Sequence, residues 1–328
     1  MLLLSVFDIA IVICEHILKW YIYCLGGCVL LGETQSFAIV LVSLLHHTME
    51  AQRISLQIGA NTRYILGTSG RVSSLERYCK LLQDILGVDV AYIPINSGDA
   101  EHPQISPQRY ASALKGMPCI GGSISRDIKH TIIPFLDEVD ELAAEIQSVN
   151  TVIVLKDGRL KGYNSDALGF RHAIVNGMEK SKLEIKTAVC YGYGGVTSTV
   201  TSVLLGLGIK VYLIGRNRAT AEARAPELKV EVWCGEPVDL FVNATPATES
   251  PLENAANLLD ALRSCKMAFD HEMPGKYLQE YCEANQIYHI KGLDMYYPQM
   301  TAQWKLFLEG MVEPERVEEL LRQADGQK

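Results

Sequence analysis

The chain has 328 residues, enough for two ordinary domains with real cores. Hydrophobic residues make up 48% and charged residues 21%, which excludes an intrinsically disordered chain. A formal net charge of −8 excludes the broad basic face with which a nucleic-acid binder displaces counterions, though not a local basic pocket for a small anion. Nine cysteines fall without metal-ligand spacing; Cys24 and Cys28 come nearest and nothing completes them. Free thiols in a reducing, cytoplasmic compartment are expected, and no metal site.

Residues 1–48 are far more apolar than the rest of the chain, with runs such as LLLSVF, AIVIC and FAIVLVSLL. A spanning helix needs roughly 20 apolar residues in a row, and Asp8, Glu15, His16, Lys19 and Glu33 interrupt every run. A signal peptide needs a basic start, and no Lys or Arg precedes the first run. The favoured reading is a non-native extension ahead of a start at Met49, with a weak membrane anchor as the alternative. No function is carried from this segment.

Beyond it, RYILG (63–67) is a short strand. SSLERYCKLLQDILG has helical periodicity, with Leu75, Tyr78, Cys79, Leu82 and Ile85 on one face. VDVAYIPIN is a strand, SPQRYASALKGM a helix capped by Ser106 with Pro107 at its first position, and PCIGGSIS a further strand. A helix broken at Pro134 is expected from Asp127 to Gln147. TVIVLKDGRLKGYNS is a hairpin turning at Asp157-Gly158. The pattern then restarts: strand TAVCY, a glycine turn, helix GVTSTVTSVLLGLG, strand KVYLIGR, and strands KVEVWC, LFVNAT and KMAFDHE with helices between. Two helices come after Gly292. Strands alternating with helices imply an α/β protein with mostly parallel sheets.

Gly192, Gly194 and Gly195 join an apolar strand to a helix. Such a turn offers backbone N–H groups and a positive helix end to a pyrophosphate, and it equally suits a tight structural turn. The next strand ends in Gly215-Arg216-Asn217-Arg218, where an NAD-binding domain usually has an acid for the ribose 2′-OH. Arginine instead matches a 2′-phosphate, or it marks a solvated basic turn. Asn243-Ala244-Thr245-Pro246 ends a later strand with small residues that leave room for a cofactor. Cys190, Tyr296 and Trp304 are expected in packing, and His130 on a helix surface.

Two segments could carry chemistry: Ser123 to Lys129, and Ser148 to Thr151 followed by Tyr163 to Asp166. Carbonyl reduction needs a hydride donor and a proton donor beside the oxygen. Lys129 oriented by Asp166 could supply the proton, with Asn150 on a ring hydroxyl. The plainer readings, a surface lysine and an N-cap for a helix starting at Ala167, stay open on the residues alone.

The run VNTVIVLKDGRLKGYNSDALGF resembles the signature of the shikimate dehydrogenase family, roughly VNT, DG and NTDGxGF. SISRDIK parallels its NVTxPxK, GYGG its GAGG, GRN its NRT, and GLDMYYPQ its late GLxMLxxQ; NATP matches directly. The likeness runs from about Arg63 to the C-terminus. It implies an N-terminal α/β substrate domain (58–165 with 293–328) and a Rossmann-like NADP-binding domain (166–292), the C-terminal helices returning to the former. It implies Lys129 and Asp166 as the catalytic pair. Ser73, Ser125, Asn150 and Gln299 would hold substrate. Gly192, Gly194, Gly195, Arg216, Asn243 and Thr245 would hold NADP rather than NAD. The implied reaction is reversible reduction of 3-dehydroshikimate to shikimate by a monomer or homodimer. Quinate use, and a non-catalytic sensor of the same small anionic ring acids, are the alternatives.

The departures gather on the substrate and nicotinamide side. Where the family has SxSP this chain has Ser73-Ser74-Leu75-Glu76, which loses one hydroxyl. A donor lost to a buried carboxylate costs about 1.5–3 kcal/mol. Proline is absent from the SISRDIK segment and Arg126 is new there; the family's DxxYxP has become Asp270-His271-Glu272-Met273-Pro274. A divergent member is implied, with the substrate-carboxylate contacts rebuilt.

Overall fold

A computed structural model describes residues 57–68, 72–95, 105–125, 128–245, 256–271 and 276–326. The readings placed on residues 1–48, on Arg126 and on the side chain of Ser73 lie outside the described part.

Strand β1 (Arg63–Gly67) leads to helix α1 (Val72–Cys79), which widens into a π turn over Lys80–Ile85. The wider turn rotates the apolar face, so Leu81 and Leu82 are both buried beside Tyr78 and Cys79. Next come β2 (Val90–Pro94), α2 (Pro107–Gly116) and β3 (Cys119–Ser123). Ser106 caps α2 by accepting from the Arg109 N–H, with Pro107 behind it, as the sequence implies. The helix expected from Asp127 to Gln147 is instead four short pieces: α3 (Ile128–Thr131), a 3₁₀ turn (Ile133–Phe135), β4 (Glu138–Val139) and α4 (Glu141–Ile146). Pro134 sits inside the 3₁₀ turn, and Asp140 restarts the helix by capping the Leu142 N–H. Strands β5 (Thr151–Val154) and β6 (Leu160–Tyr163) form the expected hairpin, with Gly158 at φ +83° in its turn.

These six strands make one sheet in the order β2-β1-β3-β5-β6-β4. Strands β1, β2 and β3 run parallel, while β5 opposes β3. The register puts Gly67, Ser123, Thr151 and Tyr163 in one row across the sheet. Residues just past that row therefore meet at one sheet end.

Helix α5 (Ser165–Ser181) opens the second half. It is followed by β7 (Thr187–Tyr191), α6 (Gly195–Gly206), β8 (Lys210–Ile214), α7 (Arg218–Arg224), β9 (Glu231–Val232) and β10 (Leu240–Asn243). Then come α8 (Ala256–Ser264), β11 (Met267–Asp270), α9 (Lys276–Asn285) and β12 (Tyr288–Ile290). Their sheet is wholly parallel in the order β9-β8-β7-β10-β11-β12. This is the dinucleotide-binding order, with a topological switch between β7 and β10. Side chains of β7 alternate between two cores, Ala188 and Cys190 in one and Val189 and Tyr191 in the other. Burial on both faces explains why TAVCY, LFVN and MAFD are nearly continuous apolar runs.

Helices α10 (Gly292–Phe307) and α11 (Val317–Ala324) return to the first sheet. Trp304, Phe307, Leu320 and Leu321 pack with Ile65, Tyr78, Leu82 and Tyr92 in one cluster. α10 also lies close against α5 at Gly169. A Cβ there would stand 2.6 Å from the Gln299 Cβ and 2.8 Å from the Met295 carbonyl oxygen. Gly169→Ala is therefore expected to force the helices apart at an overpacking cost of about 1–3 kcal/mol. Urea unfolding checks it, an unchanged midpoint being the contrary result.

Candidate active site

Thr68, Ser125, Asn150 and Asn164 make the end of the sheet past the Gly67–Ser123–Thr151–Tyr163 row largely polar. β1 is followed by Thr68, which is fully buried. Its hydroxyl accepts from the Ser125 N–H at 2.8 Å and lies 3.2 Å from the Ser125 hydroxyl. Beside them the Tyr92 hydroxyl stands 3.0 Å from the Ser123 hydroxyl. Gly67 makes room for it, since a Cβ would overlap the Tyr92 ring.

Asn150 precedes β5 and is buried. Its amide donates to the Ser165 hydroxyl at 2.9 Å and to Asp166 Oδ1 at 2.8 Å. Its oxygen accepts from the Ser165 N–H at 2.9 Å and the Thr151 hydroxyl at 2.8 Å. From α10, Gln299 donates to Asp166 Oδ1, and Gln303, one turn later, donates to the Thr151 hydroxyl at 2.7 Å. The site is thus laced to β5, α5 and α10 together.

Asp166 lies in the first turn of α5, but Asn164 is the cap, accepting from the Ala167 N–H at 3.0 Å. The N-cap alternative for Asp166 is corrected: its carboxylate is free of the helix end and faces Lys129. Lys129 Nζ sits 2.6 Å from Asp166 Oδ2. Lys129 is held from behind, its carbonyl accepting from the Val149 N–H at 2.8 Å. Burial pushes the Asp166 pKa up, but the Lys129 charge and the bonds from Lys129 and Asn150 outweigh it and leave the carboxyl below its ordinary value. At neutral pH Asp166 is therefore a carboxylate.

The structure therefore joins Lys129, Asp166, Asn150 and Gln299 in one constellation and sets Ser125 among neighbouring hydroxyls. Leu75 packs against the Tyr78–Trp304 core.

The cofactor side is built at the switch point. Gly192 has φ +127°, and a Cβ there would meet Thr245 Cγ2 at 2.9 Å. Gly194 caps α6 with open space around it, so the helix end is accessible. The Tyr193 ring lies on Gly215, and its hydroxyl donates to the Asn217 carbonyl at 2.6 Å, clamping the turn after β7 to the turn after β8. The two arginines differ. Arg218 is tied to Glu222, whereas Arg216 is exposed and makes no ion pair among the described residues. Asn243 spends its side chain on structure, donating to Asp270 at 2.9 Å and accepting from the Thr245 N–H and hydroxyl. Gly192, Gly194, Gly195 and Arg216 fit a phosphorylated dinucleotide; Asn243 and Thr245 shape the strand end. No cluster of three or more His, Cys, Asp or Glu suited to a metal occurs among the described residues. Nor is any described helix long and apolar enough to cross a membrane.

Several contributors are not apparent from the sequence. Thr68 and Gln303 have no local signal beyond following a strand and following Gln299 by one turn. His130 is no plain surface residue. Its Nδ1 faces the Gln147 carbonyl at 2.7 Å, and its Nε2 abuts the glycine turn, 3.3 Å from where a Gly195 Cβ would be. His271 follows β11 with its Nδ1 buried and unbonded among the described residues. Burial pushes its pKa down to about 4, with the Asp166 charge opposing and the Lys129 charge assisting.

Comparison with known proteins gives a likeness in sequence and in fold. No family model matches the chain. It is 36% identical over 137 residues to the shikimate dehydrogenase (NADP(+)) of Halothermothrix orenii, covering 40% of this chain and 43% of that protein. Across the first three such relatives it spans between 43% and 63% of their length, about half. Among solved structures it is similar to shikimate 5-dehydrogenase from Thermus thermophilus in complex with NADP(H) and shikimate: TM-score 0.60, 24% identity, 80% of this chain and 99% of that one. It is also similar to quinate dehydrogenase from Corynebacterium glutamicum in complex with NAD: TM-score 0.63, 22% identity, 80% and 99% covered. At these identities the structural likeness establishes the fold.

Two measurements test this arrangement. Asn150→Ala removes four hydrogen bonds and strips the buried Asp166 carboxylate of a donor. About 3 kcal/mol or more of unfolding free energy in urea is the expected loss. Between pH 6.5 and about 4 the unfolded chain binds a proton that folded His271 refuses, so stability rises with pH across that window. Asp166, with a lowered pKa, contributes above its unfolded value of 3.8 and loses that contribution as pH falls through its folded value. Thermal midpoints recorded against pH should fall first below 6.5, and His271→Leu should flatten that first limb; an unchanged limb contradicts the assignment.

Proposed function

Taking the shikimate dehydrogenase fold as premise, we propose that this chain is a cytoplasmic NADP-dependent oxidoreductase that interconverts a ring carbonyl and a ring alcohol on a small anionic ring acid, 3-dehydroshikimate and shikimate in the first instance. The observation that carries this reading is Lys129 held 2.6 Å from a buried, ionised Asp166 that is braced by Asn150 and Gln299. A protein that merely bound a metabolite would have no need of an ammonium held in this way. Residues 58–165 with 293–328 form the substrate half in this reading, and 166–292 the cofactor half.

Bound NADPH would supply the hydride. The chain's own part is to place the proton. The Lys129 ammonium gives one proton to the carbonyl oxygen as the carbonyl carbon gains hydride, so C=O becomes CH–OH and the lysine is left neutral. Asp166 keeps the ammonium aimed and lowers the energy of its charged form when the proton is regained. In the oxidative direction the same lysine, neutral, takes the hydroxyl proton. Gln299 and Asn150 keep Asp166 Oδ1 occupied, so Oδ2 stays with Lys129. The half-buried Ser123 and Ser125, backed by the buried hydroxyls of Tyr92 and Thr68, offer hydroxyls suited to a carboxylate or ring hydroxyls, in place of the hydroxyl lost at Leu75. Arg216, in no ion pair among the described residues, favours the 2′-phosphate of NADP over NAD.

Oxidation of shikimate and of quinate, each with NADP and with NAD, followed at the absorbance of reduced cofactor, tests the reading. Turnover of shikimate with NADP is expected. Lys129→Ala should lower kcat by about 10²–10⁴-fold, the range for loss of a positioned acid–base group. Full activity in that variant would remove Lys129 from the mechanism, and no turnover with any pair would remove the enzyme reading. A marked preference for quinate and NAD would move the assignment to a quinate dehydrogenase.

A further inference from the structure

His271 is a half-buried titratable group that the mechanism leaves unused. It follows Asp270 at the carboxyl end of β11, and its backbone N–H donates to the Asn243 carbonyl at 3.2 Å. Its ring is edge-on to Phe269 at 5.3 Å, and Phe269 in turn is edge-on to Phe170 at 5.0 Å. Phe170 lies one helical turn beyond Asp166, on the same side of α5. The histidine thus stands on an aromatic prop reaching back to the reacting carboxylate, and it senses the charges of both Asp166 and Lys129. Its Nδ1 is buried and has no hydrogen-bond partner among the described residues. Such an atom costs stability unless something else satisfies it.

The sheet order indicates what does. A dinucleotide lies across strand ends at the switch point. Arg216 after β8 marks the adenosine end, and the accessible glycine turn after β7 marks the pyrophosphate. Continuing over β10, the opposite end of the molecule arrives at β11. That end carries a carboxamide with one acceptor and two donors. A neutral imidazole can meet either kind through its choice of tautomer, and at neutral pH His271 is neutral.

We propose that His271 is a cofactor-binding residue whose Nδ1 hydrogen-bonds the nicotinamide carboxamide and so turns the hydride-bearing ring toward the Lys129–Asp166 pair. This rests on the NADP reading above. It concerns only the nicotinamide end, which makes the two separable.

The test compares full-length wild type, His271→Leu and His271→Asn for binding of two probes. One is NADPH, titrated by its fluorescence. The other is 2′-phospho-ADP-ribose, which lacks nicotinamide, measured by calorimetry. His271→Leu should weaken NADPH about tenfold, the worth of one well-made hydrogen bond, and leave the fragment unchanged. Asparagine, whose amide occupies the place of Nδ1, should restore NADPH to within about threefold of wild type. Equal losses for both probes, or no loss for either, would overturn the assignment while leaving the NADP reading in place. Failure of the wild type to bind either probe would overturn both. Should the leucine variant not fold, the wild-type His271 ring signals in NMR decide instead: they should shift with NADPH and stay still with the fragment, and any other pattern counts against the proposal.

Discussion

A carboxylate taken out of water must be answered by donors from several directions or it will not stay ionised. Asp166 is answered by Lys129 from α3, Asn150 from the approach to β5 and Gln299 from α10. These segments are far apart in the chain, and each is fixed by its own packing: α3 through the Lys129 carbonyl, β5 through the sheet register, α10 through Gly169 and the Trp304 cluster. The ion is thereby a point of closure for the first sheet, the helix that leaves it and the C-terminal helices that return. Its burial is costly in isolation. The donors convert that cost into a requirement that all three segments be in place at once.

The parallel sheet contributes by geometry rather than by charge. With β7 and β10 adjacent and their successors running outward on opposite sides, the carboxyl ends of these strands border one crevice. The glycine turn, the Tyr193 clamp, Arg216, Thr245 and His271 all lie at those ends. The two sheets differ in what they carry at their ends: the mixed sheet the Lys129–Asp166 pair and the hydroxyls, the parallel sheet the glycine turn and Arg216.

Much of this is legible in the chain. Apolar runs announce the parallel strands, Asp157-Gly158 the hairpin, Ser106-Pro107 a helix start, and a spaced set of motifs the pair Lys129 and Asp166. The rest is hidden for physical reasons. Strands β4 and β12 have two and three residues, too short to show a period. The segment from Ile128 to Ile146 has helical composition but is divided by Pro134 and by the pairing of Glu138–Val139 with β6. Asn164 and Asp166 are both good capping residues, and only backbone geometry shows that the first takes the role. Thr68 matters because strands end beside one another, a relation no local pattern records.

Helix α10 carries Gln299 on Asp166, Gln303 on Thr151, and Trp304 and Phe307 in the core beneath. Because successive residues of a helix are about 100° apart, polar reach and apolar burial share one rotational setting. A one-residue insertion between Gln299 and Trp304 would keep every residue type yet swing the glutamine away from the carboxylate or pull the tryptophan from its seat. The distance in sequence between these two residues is therefore under the same constraint as their identities, so the C-terminal helix acts as a gauge that keeps the spacing of core and site in step.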